Sequence, residues 1–229
     1  MVFPRPIHAV VFDMDGLLVD TEVLIRDLMF AAARSRDAHL PHEVFMRMVG
    51  LPGTASDAVA RAHFGPDFPL EAFLDEVSEG ARAACEAGVA LKAGVVELLD
   101  HLDAADIPRA IATSSSHGAV QRTLGPNRIL PRFHAIVAAG DYPRGKPDPD
   151  PFLTAASKLG VDPERCLALE DSHNGVRAAH AAGMMTVMVP DLLEPTDEMR
   201  EKCLAIAESL HHVRDLIDRT AALNARPGL

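Results

Sequence analysis

Residues 8–22 read HAVVFDMDGLLVDTE, a short apolar run that stops at Asp13, Asp15 and Gly16. An unbroken, valine-rich run closed by polar residues predicts a parallel strand, buried on both faces, that opens into a functional loop. The next segment differs in kind. From about residue 20 to residue 88 the apolar spacing is helical, through Val23, Leu24, Leu28 and Met29, then Val44, Met48 and Val49, then Phe73, Leu74 and Val77. Glycines and prolines at positions 50, 52, 53, 65, 66 and 69 supply the breaks between helices. Beyond Leu91 the pattern alternates, predicting strands over 109–113, 134–138, 166–169 and 186–189 and helices over 94–105, from 116, over 151–159 and over 174–182. Strands separated by helices imply right-handed crossovers, hence an α/β, doubly wound, Rossmann-like parallel sheet with helices on both faces. The expected domains are a core made of residues 1–19 and 90–229 and an inserted all-helical unit of residues 20–89. The tail from Asn224 is expected to fray.

Composition narrows the function classes. The 229 residues are 48% hydrophobic and 24% charged, enough to bury a sizeable core. Every apolar run is broken well short of the roughly 18 residues that a membrane span needs, so no membrane partner is expected. The N-terminal apolar run leads straight into Asp13 with no small-residue cleavage pattern, which gives the expectation of a cytoplasmic protein. A formal net charge of −11, no Trp and one Tyr argue against nucleic-acid binding. Cys85, Cys166 and Cys203 form no CxxC pair and read as small buried hydrophobes. The adjacent His211 and His212 cannot face one ligand from a helix and read as a solvated face.

In open parallel sheets ligands sit at the carboxyl ends of the strands. Asp13 and Asp15 end the first expected strand, Thr113 and Ser114 the second, and Glu170 and Asp171 the fourth; Lys146 lies in the loop GDYPRGKPDP (140–149) after the third. Asp13 and Asp15, two apart in extended backbone, lean the same way, and adjacent carboxylates repel unless they share a proton or a cation. Asp171, and with it Glu170, adds oxygens from another strand end, and with no His or Cys competing the cation that suits this set is Mg²⁺. Lys146 supplies positive charge, and Thr113 and Ser114 a hydroxyl and turn N–H groups for phosphate oxygens. Each feature alone has an ordinary explanation: an acidic turn, a helix cap, a solvated lysine. Together, a carboxylate nucleophile, a second carboxylate, Mg²⁺, a lysine and a hydroxyl suit phosphoryl transfer through an aspartyl phosphate.

The stretches VVFDMDGLLVDTE (10–22), IATSS (111–115), GKPDPDPF (145–152) and LALEDSHNGVRAAHAAGM (167–184) resemble the four motifs of the haloacid dehalogenase-like hydrolase superfamily, in the subgroup of phosphatases and β-phosphoglucomutase. The resemblance implies Asp13 as nucleophile, Asp15 as general acid and base, and Thr113 and Lys146, with Gly16 and Ser114, as phosphate binders. It also implies that Mg²⁺ is held by Asp13, the Asp15 carbonyl and Asp171, with Glu170 alongside. It makes residues 20–89 a four-helix cap that closes over the site, hinged at Asp20-Thr21-Glu22 and near 87–94. The mutases carry a His on the first cap helix where this chain reads Val23, Leu24 and Ile25. They carry an Arg in a cap loop where it reads Gly50-Leu51-Pro52-Gly53-Thr54. The expected function is therefore a Mg²⁺-dependent phosphatase of a small phosphorylated metabolite, such as a sugar phosphate or nucleotide-like monoester, working as a monomer or weak homodimer. The alternative is a β-phosphoglucomutase-like phosphomutase. A non-enzymatic phospholigand sensor is disfavoured because both aspartates are present, and true dehalogenation because it needs neither Asp15 nor a metal.

Overall fold

The computed structural model describes residues 3–51 and 53–224. Six strands form one sheet: β1 (Ala9–Phe12), β2 (Arg109–Ser116), β3 (Ala135–Ala139), β4 (Cys166–Glu170), β5 (Met185–Met188) and β6 (Ala205–Ile206). Every pairing is parallel and the order is β3-β2-β1-β4-β5-β6. The chain thus winds outward from β1 to one edge, returns to β4 on the other side of β1, and winds outward again. Loops leaving β1 and β4 diverge there, opening the crevice in which such sheets bind ligands.

The strand side chains explain the layers. Along β1, Val10 and Phe12 enter one apolar cluster while Ala9 and Val11 enter another, as the two-residue period of a strand requires. The first cluster is filled with large side chains from α5 (Val95–Ala104) and a helix near the C-terminus. The second is lined by Ala110, Ala112 and Ala168 and filled by Phe152, so the helices on that face lie close to the sheet.

Between β1 and α5 the chain forms α1 (Thr21–Arg34), α2 (His42–Met46), α3 (Gly53–Phe64) and α4 (Leu70–Ala87). They pack around their own cluster, in which Phe73 is wholly buried and meets Phe64 and Phe68 edge to face. Two linkers join this unit to the sheet, and they run side by side. Val19 bridges Leu91 antiparallel, the Asp20 N–H donates to the Ala90 carbonyl at 3.2 Å, and the Lys92 N–H donates to the Leu18 carbonyl at 3.0 Å.

After α5 come α6 (His117–Leu124), α7 (Asp150–Leu159), α8 (His173–Ala181), α9 (Asp197–Lys202) and α10 (Leu210–Asn224). The structure departs from the expected pattern in several places. β2 continues to Ser116 instead of ending at 113, because the hydroxyl-rich stretch stays extended and caps α6 only at Ser116, whose side chain accepts from the Ala119 N–H. Strand β6 is two residues long and has no periodic signal. Asp20 starts α1 without a side-chain capping bond. Cys203 is half-buried rather than buried, and His211 and His212 are half-buried rather than solvated, His211 lying against Gly94. Most of the tail expected to fray, 225–229, lies outside the described residues. No described helix is long and apolar enough to cross a membrane.

Phe73→Ala is expected to remove about 3–5 kcal/mol from the unfolding free energy, the usual cost of emptying a buried aromatic site. Urea denaturation followed by circular dichroism measures it; a loss below about 1 kcal/mol would mean that the helical unit lacks a well-packed core around this ring.

Candidate active site

The first carboxylate is set by the sheet itself. Asp13 follows the last residue of β1, its N–H donates to the Leu169 carbonyl of β4 at 3.0 Å, and its side chain stands over the crevice between the two strands. The chain then turns through Gly16, at φ +82°, whose N–H donates to the Val19 carbonyl. A Cβ there would lie 2.3 Å from Asp171 Oδ2, so the position requires glycine for space as well as for backbone conformation. Asp15 is held on both oxygens. Thr21 Oγ1 donates to Oδ1 at 2.9 Å and Ser115 Oγ to Oδ2 at 2.8 Å, which ties the end of β1 to α1 and to β2.

From β2, Thr113 is buried and its hydroxyl accepts from the Ser115 N–H at 3.0 Å, while its carbonyl accepts from the Tyr142 hydroxyl at 3.0 Å. Ser114 is exposed toward the cavity. Sequence reasoning missed Ser115. The strand's two-residue alternation, once β2 is known to run through 116, is the signal that would have turned its side chain toward Asp15.

Lys146 is no solvated loop lysine: its side chain is 6% exposed. The ammonium donates to Asp13 Oδ1 and to Glu170 Oε1, and it lies over the Phe152 ring, 5.1 Å from the centroid. Glu170 is wholly buried, and its other oxygen accepts from the Asp171 N–H, the Ser172 N–H and the Ser172 hydroxyl at 3.1–3.2 Å. Gly175, in the first turn of α8, makes room for it, since a Cβ there would lie 1.9 Å from the Glu170 carboxyl carbon. Both Glu170 oxygens are therefore engaged, and this carboxylate fixes Lys146 and the turn that carries Asp171.

Asp13, Glu170 and Asp171 each present an oxygen within 4.8 Å of the others. Burial is the main force on them. It pushes the Asp13 carboxyl up to about 8, with Glu170 and Asp15 adding to the rise and Lys146 opposing it. Burial likewise lifts Asp171 well above the ordinary carboxylate value, reinforced by Asp13 and Glu170. Asp15 is raised by burial and pulled back by the Ser115 and Thr21 hydroxyls. For Lys146 burial works the other way, but the two carboxylates outweigh it and hold its pKa above the ordinary lysine value. The carboxylates thus exceed the positive charge that reaches them, and an all-oxygen set short of cation suits a hard divalent ion.

These groups line one cavity of about 800 Å³ between the sheet and the helical unit. It brings together Asp13, Asp15, Thr113, Ser114, Lys146 and Asp171; Gly16 and Glu170 stand behind its wall. The helical side contributes Thr21, Glu22, Ile25, Val49, Gly50, Leu51 and Gly53.

A family model described as haloacid dehalogenase-like hydrolase matches residues 7–183. The chain belongs to the haloacid dehalogenase-like hydrolases. A Drosophila melanogaster relative named "Probable pseudouridine-5′-phosphatase" is 36% identical over 196 residues, covering 82% of this chain and 83% of that one. Hexitol phosphatase B of Escherichia coli is 32% identical over 202 residues, covering 83% and 86%. A solved haloacid dehalogenase-like hydrolase from Deinococcus radiodurans, with bound phosphate and sodium, superposes with a TM-score of 0.79 at 30% identity, covering 94% of this chain and 97% of that one. Within this family the chain is an enzyme of the phosphoric monoester hydrolase class.

Sequence reasoning placed Glu22 only in a cap hinge; the structure puts it in the wall of this hydrolase's cavity. Burial, with the Asp15 and Asp191 charges, pushes its carboxyl up to about 7. In the unfolded chain Glu22 ionises near 4.5, so as the pH rises from there through 7 its ionisation increasingly opposes folding. The metal-free Glu22→Gln protein is therefore expected to exceed wild type in stability at pH 8 by on the order of 2–3 kcal/mol, and to match it below pH 4. Urea midpoints in the presence of chelator check this, and equal wild-type and variant stability at pH 8 would contradict it.

Proposed function

We propose that this protein is a Mg²⁺-dependent phosphatase that hydrolyses a small phosphorylated metabolite, a sugar phosphate or nucleotide-like monoester, through a phosphate ester on Asp13. The observation that carries the reading is the contact of Lys146 with both Asp13 and Glu170 at the floor of a cavity that also holds Asp15, Thr113 and Asp171. Asp13, Asp171 and the Asp15 carbonyl would hold Mg²⁺, which when bound neutralises charge so that a carboxylate can approach an anionic phosphate.

An Asp13 oxygen attacks phosphorus and the bond from phosphorus to the leaving oxygen breaks. Asp15, protonated, gives its proton to that oxygen; Thr21 and Ser115 aim it. Lys146 and the Thr113 hydroxyl, with Ser114, hold the phosphate oxygens. Asp15, now ionised, takes a proton from water, whose oxygen attacks phosphorus and breaks the bond to Asp13, releasing phosphate. Residues 20–89 act as the cap over a core of 1–19 and 90–229, and the paired linkers are its hinge.

Water, rather than a second sugar hydroxyl, is the acceptor. A mutase grips the far phosphate of a sugar bisphosphate from its cap, whereas among the described residues the helical side of this cavity carries no basic group and is apolar apart from Glu22 and Thr21, whose hydroxyl is engaged by Asp15. The relatives named as phosphatases support the same reading. The protein acts in the cytoplasm, as a monomer or weak homodimer.

The two aspartates are expected to separate kinetically. Asp13→Asn should abolish turnover of every substrate, whereas Asp15→Asn should slow the first step, transfer of the phosphoryl group to Asp13, by about 10²–10⁴ with sugar phosphates and spare that step with p-nitrophenyl phosphate, whose leaving group needs no proton. Single-turnover release of the sugar or of nitrophenol measures this; equal losses for Asp15→Asn on the two would remove its role as the acid.

A further inference from the structure

Three residues past β5 the chain carries Asp191, whose strand neighbours β4, so the residue stands next to Asp171. Its side chain is only 8% exposed. Oδ1 accepts from Lys92 Nζ at 2.6 Å, on the linker that returns from the helical unit. Oδ2 is buried and accepts from nothing among the described residues. A Cβ at Gly16 would lie 2.3 Å from Asp171 Oδ2 and 3.3 Å from Asp191 Oδ2, so both oxygens face the bare Cα of that glycine. A buried carboxylate oxygen without a donor is costly, because it has given up its water and gained no partner. Lys92 relieves one oxygen and leaves the other beside Gly16, across which Asp171 lies.

We propose that Asp191 is a positioning carboxylate for the metal end of the site, its Oδ2 accepting a hydrogen bond from a water of the Mg²⁺ hydration shell while its Oδ1 is held by Lys92. This rests on the reading of Asp13 and Asp171 as holders of Mg²⁺. Mg²⁺ keeps several of its waters in protein sites, and those waters need acceptors. Groups that orient a metal's immediate surroundings typically contribute 10–100-fold in metal affinity. Because Asp191 also holds Lys92, the metal end and the cap linker are joined through one side chain.

Isothermal titration of Mg²⁺ into the metal-stripped full chain tests this on wild type, Asp191→Asn and Lys92→Gln, each checked for folding by circular dichroism. Asp191→Asn is expected to bind Mg²⁺ about 10–100-fold more weakly, and Lys92→Gln as tightly as wild type or tighter, since it frees the carboxylate from a competing cation. Unchanged binding by Asp191→Asn overturns the proposal. Equal weakening in both variants also overturns it, by showing that Asp191 serves only its ion pair with Lys92. Wild type that fails to bind Mg²⁺ removes the underlying metal reading and this proposal with it. Should Asp191→Asn not fold, Asp191→Ser is titrated instead, with the same two outcomes.

Discussion

Putting carboxylates at the crevice between β1 and β4 means placing like charges where water is scarce, and one ammonium makes that tolerable. Lys146 touches Asp13 and Glu170 together, so it holds the ends of β1 and β4 in register with the loop after β3. Removing one partner from a buried ionic contact costs about 3–5 kcal/mol, comparable with the loss of a large core side chain. Its neighbours are arranged to keep it there: Phe152 under the ammonium, the turn N–H groups on Glu170, and a glycine at 175 because no other residue leaves space for the Glu170 carboxyl. The same contact leaves negative charge over, since burial lifts Asp13 and Asp171 even with Lys146 present. A site left with surplus negative charge suits a further hard cation, and with such a cation an anionic phosphate.

The helical unit is tied to this charge balance at several points. Thr21, the first residue of α1, donates to Asp15, and Lys92, on the returning linker, donates to Asp191. The Asn174 side chain of α8 donates to the Gly50 carbonyl at 2.9 Å, joining the core to the loop before α3. These are single hydrogen bonds and one ion pair, each worth about 0.5–3 kcal/mol, against an internal cluster that keeps the four helices together as a body. The four helices thus have a core of their own and are joined to the sheet by two paired linkers.

Much of the sheet was legible because its strands are buried on both faces and read as unbroken apolar runs bounded by glycine or acid. The helical insertion was legible from the change of period after residue 20. The site was legible where chemistry coincides with a strand end: Asp13, Asp15, Thr113, Lys146, Glu170 and Asp171 all arrive at the crevice. Ser115, Glu22, Tyr142 and Asp191 were not, because their roles depend on where a strand stops or on which loops meet across the molecule. The two-residue β6 gave no signal either, since its backbone pairing with β5 carries no pattern of its own. Glu170 was legible as an acid at the right place, but only its hydrogen bonds show that it holds other groups in position.

In the proposed mechanism Asp13 carries the phosphoryl group. Wild-type protein is mixed with excess p-nitrophenyl phosphate and Mg²⁺, quenched in acid during turnover, and treated with borohydride, which reduces an aspartyl phosphate to homoserine. Peptide mass spectrometry should then find homoserine at position 13 and nowhere else. Turnover without that product, or homoserine at another aspartate, would rule out Asp13 as the phosphoryl carrier.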